Sequence, residues 1–170
     1  FELSYTQFYD FLPGAWGGLG VSANYTYIDQ SGVDDKVGFG EGSTGEGGRN
    51  SFRAFKNLAL PGYSDDTYNV ALMYEKYDIA ARLAYSWRSE YLLTRRDSDQ
   101  FAPIIAKSTG QLDMSVSYYL SEDVKIGLEA SNILDEVIET ELMYEENGRQ
   151  TPRSHFSTDR GVGLYLSASF

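Results

Sequence analysis

The sequence predicts an all-β fold, an antiparallel up-and-down transmembrane β-barrel segment of about seven strands. Three observations predict it: apolar and polar residues alternate along several stretches, short and long connections alternate between them, and charges inside the stretches keep to the polar positions. A period of two is typical of an extended strand with two unlike faces. One such strand fits a soluble sheet equally well, so the membrane prediction depends on the repetition along the chain.

The hairpin between Gln111 and Leu134 shows the alternation most clearly. The apolar positions are Leu112, Met114, Val116, Tyr118 and Leu120 in the first arm, and Val124, Ile126, Leu128 and Ala130 in the second. Both apolar sets share one face only if the loop holds an odd number of residues, so Ser121–Asp123 is the predicted turn. The expected cross-strand pairs are Leu120–Val124, Tyr118–Ile126 and Ser115–Glu129.

Five further stretches have strand character. They cover residues 1–12, 19–30, 68–74, 79–88 and 160–170, the first ending at the breaker Pro13-Gly14. A four-residue turn at Glu75–Asp78 would keep the apolar faces together and pair Tyr74 with Ile79 and Leu72 with Ala81.

Three long connections lie between these strands. They are Ser31–Asp65, with a glycine cluster from Gly38 to Gly48; Glu90–Ser108; and Asp135–Asp159, with a strand-like piece around Ile138–Tyr144. The first is expected to be a solvated loop without regular structure. In a meander of strands the short turns gather at one end and the long connections at the other, as in bacterial outer-membrane barrels.

Composition agrees with strands and long loops. The 170 residues are 15% aromatic, with 14 Tyr and 17 Gly, and carry a formal charge of -11, which disfavours nucleic acid as a partner. There is no Cys, which excludes disulfides and thiolate metal sites. No apolar run reaches the length of a transmembrane helix, and the first residues lack the charged-then-apolar pattern expected of a leader. A chain that begins at Phe1 inside a strand pattern is expected to be a fragment or a processed product.

Motifs for catalysis or metal binding are weak. His155 is the single histidine and adjoins Ser154, but no residue pattern orients a base, and a solvated loop histidine is the favoured interpretation. Asp97–Asp99 and the acids of Glu139–Glu146 lack EF-hand spacing, so no metal site and no cofactor are predicted. The glycine cluster lacks the Gly-Lys-Ser/Thr of a phosphate loop.

With the strands placed, the chain resembles the C-terminal end of a TonB-dependent outer-membrane receptor. The segments that carry the resemblance are Phe8–Gly14, Val21–Tyr27, Leu60–Ser64, Tyr85–Ser89, Gly110–Asp113, Ser131–Glu136 and the terminal Phe170. The final strand is also similar to the assembly signal of outer-membrane barrels, at Leu166, Ala168 and Phe170, although Gly163 lies two positions earlier than the usual glycine.

This resemblance implies a plugged barrel of about 22 strands in the bacterial cell outer membrane, of which residues 1–170 would form the C-terminal wall and extracellular loops without the plug domain or the TonB box. It implies import of a scarce nutrient with energy relayed from the inner membrane. The implied partners are the rest of the barrel and its plug, the TonB complex through the missing N-terminal part, outer-membrane lipid and lipopolysaccharide, the barrel assembly machinery, and the nutrient. A carbohydrate is favoured over a siderophore because Phe8–Gly14 resembles receptors linked to sugar uptake.

Charged residues inside the strands are the candidate site. All of them occupy the alternate strand positions that carry polar residues: Arg82, Arg88, Asp113, Lys125 and Glu129. A lipid-facing charge costs roughly 2 to 4 kcal/mol at the midplane, so these side chains are expected to face a wet or protein-filled lumen. As a set they are predicted to face the ligand or the plug; singly, each also fits a wall position satisfied by water and cross-strand pairs.

Two alternatives stay open at the level of sequence. One is a different outer-membrane barrel, either a passive porin or a small barrel enzyme, although no residue here is expected to make or break covalent bonds. The other is a soluble sugar-binding β-sandwich, which would bury the apolar faces against a second sheet.

Overall fold

The computed structural model of the chain is all-β, and its strands pair antiparallel. It describes residues 1–30, 33–38, 52–95, 102–143 and 150–169, with the backbone alone for 33–38 and 52–57. The strands are β1 (Glu2–Phe8), β2 (Leu19–Tyr27), β3 (Val33–Gly38), β4 (Phe52–Leu58), β5 (Asp66–Lys76), β6 (Ile79–Arg88), β7 (Tyr91–Thr94), β8 (Ile104–Ala106), β9 (Thr109–Tyr119), β10 (Val124–Ser131), β11 (Val137–Met143), β12 (Gln150–Ser157) and β13 (Gly161–Ala168). A 3₁₀ helix, Gly14–Gly18, lies between β1 and β2.

No helix in the described ranges has the length and apolarity needed to cross a membrane.

Seven strands form the main sheet, in the order β1-β2-β5-β6-β9-β10-β13. Each neighbour in this order is the next main-sheet strand along the chain, so the predicted meander is confirmed. Among the strands that the structure describes, this sheet is open, with β1 and β13 as its two edges. Because seven is odd and every pair is antiparallel, these two edge strands run in the same direction.

The predicted register of the β9–β10 hairpin is confirmed. Tyr118 pairs with Ile126 and Ser115 with Glu129. The amide of Leu120 donates to the carbonyl of Val124 at 2.9 Å and closes the turn over residues 121–123. Local periodicity therefore fixed both arms and the loop between them.

The predicted register between β5 and β6 is wrong by two residues. Tyr74 pairs with Ala81 instead of Ile79, because the turn holds two residues, Tyr77 and Asp78. Their φ angles of 55° and 61° are those of a type I′ turn, whose twist matches that of the flanking strands. A slip of two leaves every side chain on its predicted face, so the pattern alone could not distinguish the two registers.

The long connections contain strands that the sequence pattern did not reveal. The first, predicted to lack regular structure, carries the β3–β4 hairpin, and the second carries β7 and β8. In the third, the strand predicted around Ile138–Tyr144 is present as β11, whereas β12 was not predicted; Tyr144 lies outside the described residues. β7 and β8 have four and three residues, too few to show a period. Residues 39–51, with most of the glycine cluster, also lie outside the described ranges.

Strands from the second and third connections form a four-stranded sheet in the order β12-β11-β8-β7, here called the loop sheet. Its buried apolar residues form two small clusters: Leu58, Leu92 and Ile105 in one, and Ala102, Ile104 and Leu142 in the other. Leu58 comes from the end of β4, so all three long connections pack together. The core of the described structure is mainly here, and the wide apolar face of the main sheet remains largely exposed.

Candidate functional site

The polar face of the main sheet is organised in rows that cross the strands. The row nearest the long connections contains Thr26, Thr67, Arg88 and Thr109, and the next contains Asn24, Asn69, Ser86 and Gln111. Further from the connections lies a row with Gly20, Met73, Arg82, Ser115, Glu129 and Gly163. Apart from Arg88, the two rows beside the long connections therefore carry amides and hydroxyls, and further charges appear further along the strands.

A cleft of about 590 Å³ lies where the first two rows meet the long connections. Its polar lining from the sheet is Thr67, Asn69, Ser86, Arg88, Thr109 and Gln111, and the connections add Gly62, Tyr63, Ser64, Glu136 and Thr158. Ile28, Trp87 and Ile138 complete the wall. A concave site with several convergent polar groups is the usual form of a small-molecule site.

Arg88 holds the first two connections against the end of β6. Its Nε–H donates to Oγ of Ser64 at 2.9 Å, and its Nη2 donates to the carbonyl of Gly62 at 3.1 Å. The guanidinium carbon lies 3.7 Å from the centre of the Tyr91 ring, a cation–π contact. Ser64 is buried and donates its own hydroxyl to the carbonyl of Ser89 at 2.9 Å. The N–H groups of Arg88 that could otherwise bind an anion therefore donate to the protein itself and shape the cleft wall.

Asn132 holds the start of the third connection. It is buried, with φ 50°, a left-handed conformation that Asn tolerates better than most residues. Its Oδ1 accepts the amide of Glu136 at 2.8 Å, and its Nδ2 donates to the carbonyls of Glu136 and Thr158. The carboxylate of Glu136 accepts the amide of Gly110 at 3.2 Å. These bonds fix Glu136 at the rim of the cleft.

Asp113 joins this turn to the sheet. Its Oδ1 accepts the backbone amide of Asn132 at 3.0 Å and the side-chain amide of Gln111 at 2.8 Å. An ionised carboxylate in such a position forms charge-assisted hydrogen bonds, which are stronger than neutral ones. Asp113 thus orients Gln111, which lines the cleft, and supports the turn at the same time.

The other predicted site residues lie apart from the cleft. Arg82, Asp113 and Glu129 surround a second concavity of about 450 Å³ beside Gly161 and Gly163. Lys125 lies near the short turns, with Nζ 6.0 Å from the ring centre of Tyr119. All five candidates lie on the polar face, but only Arg88 lines the cleft. Their predicted contact with ligand or plug stays a prediction.

Two members of the predicted assembly signal, Leu166 and Ala168, lie on the apolar face of β13, where they pair with Ile126 and Val124. The third, Phe170, lies outside the described residues.

Sequence reasoning missed most of the cleft. Asn69 and Gln111 lie at polar-face positions of the predicted strands, and their places near the strand ends could have singled them out. Ser64 and Glu136 fall within segments that carry the family resemblance, without a role assigned to them. Thr158 gave no signal, because its place depends on how the third connection folds back.

Ser154 and His155 are not arranged as a nucleophile and its base. Successive residues of a strand point to opposite faces, and these two belong to β12. The Ser154 hydroxyl is 2.6 Å from the Thr140 hydroxyl, whereas Nδ1 of the exposed His155 is 3.3 Å from a Glu139 oxygen. Within the described ranges, no group of three or more metal-ligating side chains is found.

Lys107, the residue after β8, forms ion pairs with two glutamates beside the loop sheet. Its Nζ lies 2.7 Å from Oε2 of Glu90 and 3.6 Å from Oε2 of Glu141. The hydrogen bond to Glu90 raises the pKa of Lys107 above the usual 10.5, against the partial burial that lowers it. The ammonium group therefore links the start of the second connection to β11.

Comparison of the chain with protein-family models, with curated proteins and with solved structures finds no match. The class that the fold itself defines is that of an all-β, antiparallel protein.

Proposed function

We propose that this chain forms part of the wall and the extracellular loops of an outer-membrane, TonB-dependent transporter that imports a nutrient. In this proposal the apolar face of the main sheet contacts lipid and the polar face lines the lumen of a barrel of about 22 strands. The cleft beside the loop sheet is the place where the nutrient first binds. The chain contributes binding and shape, and no bond-making chemistry.

The observation that carries the proposal is the exposed apolar face. On edge strand β13 the exposed fractions are 74% for Val162, 84% for Leu164 and 68% for Leu166, and Leu72 in the middle of the sheet is 53% exposed. Soluble proteins rarely expose a continuous apolar surface of several strands. A sandwich would cover this face with a second layer, whereas a barrel wall in lipid leaves it open.

Aromatic residues bracket this face and support the same orientation. Tyr68 stacks on Trp87, with ring centres 5.1 Å apart, at the end beside the long connections. Tyr74 and Tyr118 lie on the apolar face near the short turns. At about 3.3 Å per residue, Tyr68 and Tyr74 are about 20 Å apart along β5. That distance is close to the apolar band of about 25 Å that aromatic girdles flank in outer-membrane barrels.

The nutrient class is inferred from the uncharged polar groups of the cleft, where Asn69 also donates to Asn24 and Gln111 to Asp113. Its rows offer neutral amides and hydroxyls from Asn69, Gln111 and Ser86, whereas the guanidinium of Arg88 is engaged by Ser64, Gly62 and Tyr91. Neutral groups of this kind match the hydroxyls of a carbohydrate better than the charge of an anionic siderophore. A carbohydrate is therefore the favoured nutrient.

The proposal includes the partners that such a transporter needs. They are the remaining barrel strands and plug, the TonB complex reached through an N-terminal part, outer-membrane lipid and lipopolysaccharide, and the barrel assembly machinery. The short turns would face the periplasm, and the loop sheet would face the outside of the cell.

The test is uptake by the full-length protein in a Gram-negative host. Radiolabelled oligosaccharides and ferric siderophores are offered separately to cells with and without a functional TonB complex, and the outer-membrane fraction is assayed for the protein. The proposal expects outer-membrane location and saturable, TonB-dependent uptake of an oligosaccharide. Uptake that persists without TonB would instead indicate a passive porin, and a protein that stays in solution without detergent would end the proposal.

A further inference from the structure

Within the described part of the chain, strand β13 has one backbone edge without a partner strand, and two glycines lie on this strand. It pairs with β10 on one side and stands at the end of the main sheet on the other. An uncovered edge presents unpaired N–H and C=O groups and is a template for another strand. Gly161 and Gly163 lie on its polar face, where they pair with Ser131 and Glu129.

The other glycines inside main-sheet strands are each covered by an aromatic ring from the strand directly opposite. The cross-strand pairs are Gly20 with Phe8, Gly110 with Trp87, and Gly127 with Tyr165; at Gly110 the nearest ring atoms belong to Tyr85, two residues before Trp87 on the same strand. A Cβ placed at any of the three glycines would meet its aromatic neighbours at 3.0 Å or less. Covering a strand glycine with a cross-strand aromatic restores the apolar contact that the missing side chain cannot make.

Gly163 differs from these three. A Cβ placed there would meet no atom of the described residues within 4 Å. The space beside it is the concavity of about 450 Å³ formed by Arg82, Asp113 and Glu129. Gly127 lies on β10, between β9 and β13, and the ring that covers it comes from Tyr165 of β13. Gly163 lies on β13, between β10 and the unpaired edge. A ring that covers Gly163 in the same way would come from a strand at that edge.

We propose that the free edge of β13 pairs antiparallel with a further strand of the same barrel, and that this strand places an aromatic residue directly opposite Gly163. The inference rests on the proposed function, since it takes the partner to be a barrel strand. By the same geometry as Tyr165, whose hydroxyl crosses Gly127 to lie 2.7 Å from the Ser117 hydroxyl, a tyrosine here would reach Glu129.

The directions of the two edge strands favour pairing of β13 with a further strand over direct pairing of β13 with β1. The edge strands β1 and β13 run the same way, so they cannot pair antiparallel with each other. An odd number of additional strands is needed to close the sheet with antiparallel pairs only. A second copy of β13 is geometrically possible as an occupant, but the Tyr165 ring that it would bring is already placed over Gly127.

The first experiment measures the heat-induced loss of the compact barrel form on SDS gels, using the full-length protein. Gly163→Val is compared with Gly127→Val, where an added Cβ would meet the Tyr165 ring, and with Ser167→Val on the same face of the same strand. The inference expects Gly163→Val to lower the transition temperature as Gly127→Val does, and Ser167→Val to leave it near that of the wild type. A Gly163→Val protein as stable as Ser167→Val would overturn it.

A second experiment does not depend on a destabilised variant. A photo-crosslinking benzoylphenylalanine replaces Ser167 in the full-length protein, and the crosslinked peptide is mapped by mass spectrometry. In an antiparallel pair, the residue opposite Gly163 lies four positions C-terminal to the residue opposite Ser167. An aromatic residue of the same polypeptide at that position supports the inference.

Crosslinking to a second copy, to another protein, or to a strand without an aromatic residue there would overturn the inference. Each of these results leaves the proposed function standing when the protein is still a TonB-dependent importer of the outer membrane. A protein that forms no heat-modifiable barrel would contradict both proposals.

Discussion

The hydroxyl of Tyr165 lies 2.7 Å from the hydroxyl of Ser117, although the two residues belong to strands separated by β10. The contact is possible because Gly127, which lies between them, has no side chain. One aromatic ring therefore joins three strands, β9, β10 and β13, on the polar face.

A side chain at position 127 should disrupt this join. Gly127→Val places new atoms against the Tyr165 ring, and overpacking of this kind costs typically about 1–3 kcal/mol. We expect a lower unfolding midpoint in urea for the full-length protein in detergent. Tyr165→Phe, which removes only the hydroxyl, should cost about 0.5–1.5 kcal/mol. Equal midpoints for Gly127→Val and the wild type would contradict the geometry.

Replacement of Asn132 should loosen the third connection. Asn132→Leu removes the hydrogen bonds to Glu136 and Thr158 and puts a γ-branched residue at φ 50°. Each half-buried hydrogen bond of this kind contributes about 0.5–1.5 kcal/mol. We expect faster hydrogen exchange in residues 132–143, with Leu134→Ala as an exposed control in the same turn. Unchanged exchange would show that the turn does not depend on Asn132.

Arg88 should not be replaceable by lysine. Arg88→Lys keeps the charge but loses the fork that reaches Ser64 and Gly62 together and the flat contact with Tyr91. Both Arg88→Lys and Arg88→Ala should weaken the proposed oligosaccharide binding, measured by calorimetry, by roughly tenfold. Arg153→Lys, on the exposed β12, is the control. Wild-type affinity in Arg88→Lys would mean that charge alone is sufficient.

The stability of the loop sheet should fall at high pH. The pKa of Lys107 is raised in the folded protein, so its contribution is fully present below the unfolded value of 10.5 and is lost as the pH rises through the folded value. Limited proteolysis of residues 90–107 should therefore be slower in the wild type than in Lys107→Met well below pH 10.5. The difference in proteolysis rate should disappear well above the folded pKa of Lys107. A difference that persists at high pH would contradict the role of the ammonium charge.

The main sheet could be predicted from sequence because a period of two is a local signal. Each strand shows its faces through its own residues, as from Leu112 to Leu120, and parity then restricts the register. The shift between β5 and β6 shows the limit of this signal. Tyr77 and Asp78 form a two-residue turn with positive φ, but neither is the Asn or Gly that usually announces one.

The cleft and the loop sheet depend on contacts between distant parts of the chain, and no local pattern encodes them. Arg88 was predicted as a polar-face residue, but its bonds to Ser64 and Gly62 require the first connection to return to β6. Likewise β8, with three residues, becomes a strand because β7 and β11 lie on either side of it.

The pairing of β8 with β11 means that the second and third long connections do not form separate modules. A chimaera that receives the third connection alone would leave β8 with one partner and would expose Ile104 and Leu142. Under the proposed function, an exchange of ligand preference between two transporters should therefore succeed when the second and third connections are transplanted as one block, together with the end of β4 that supplies Leu58.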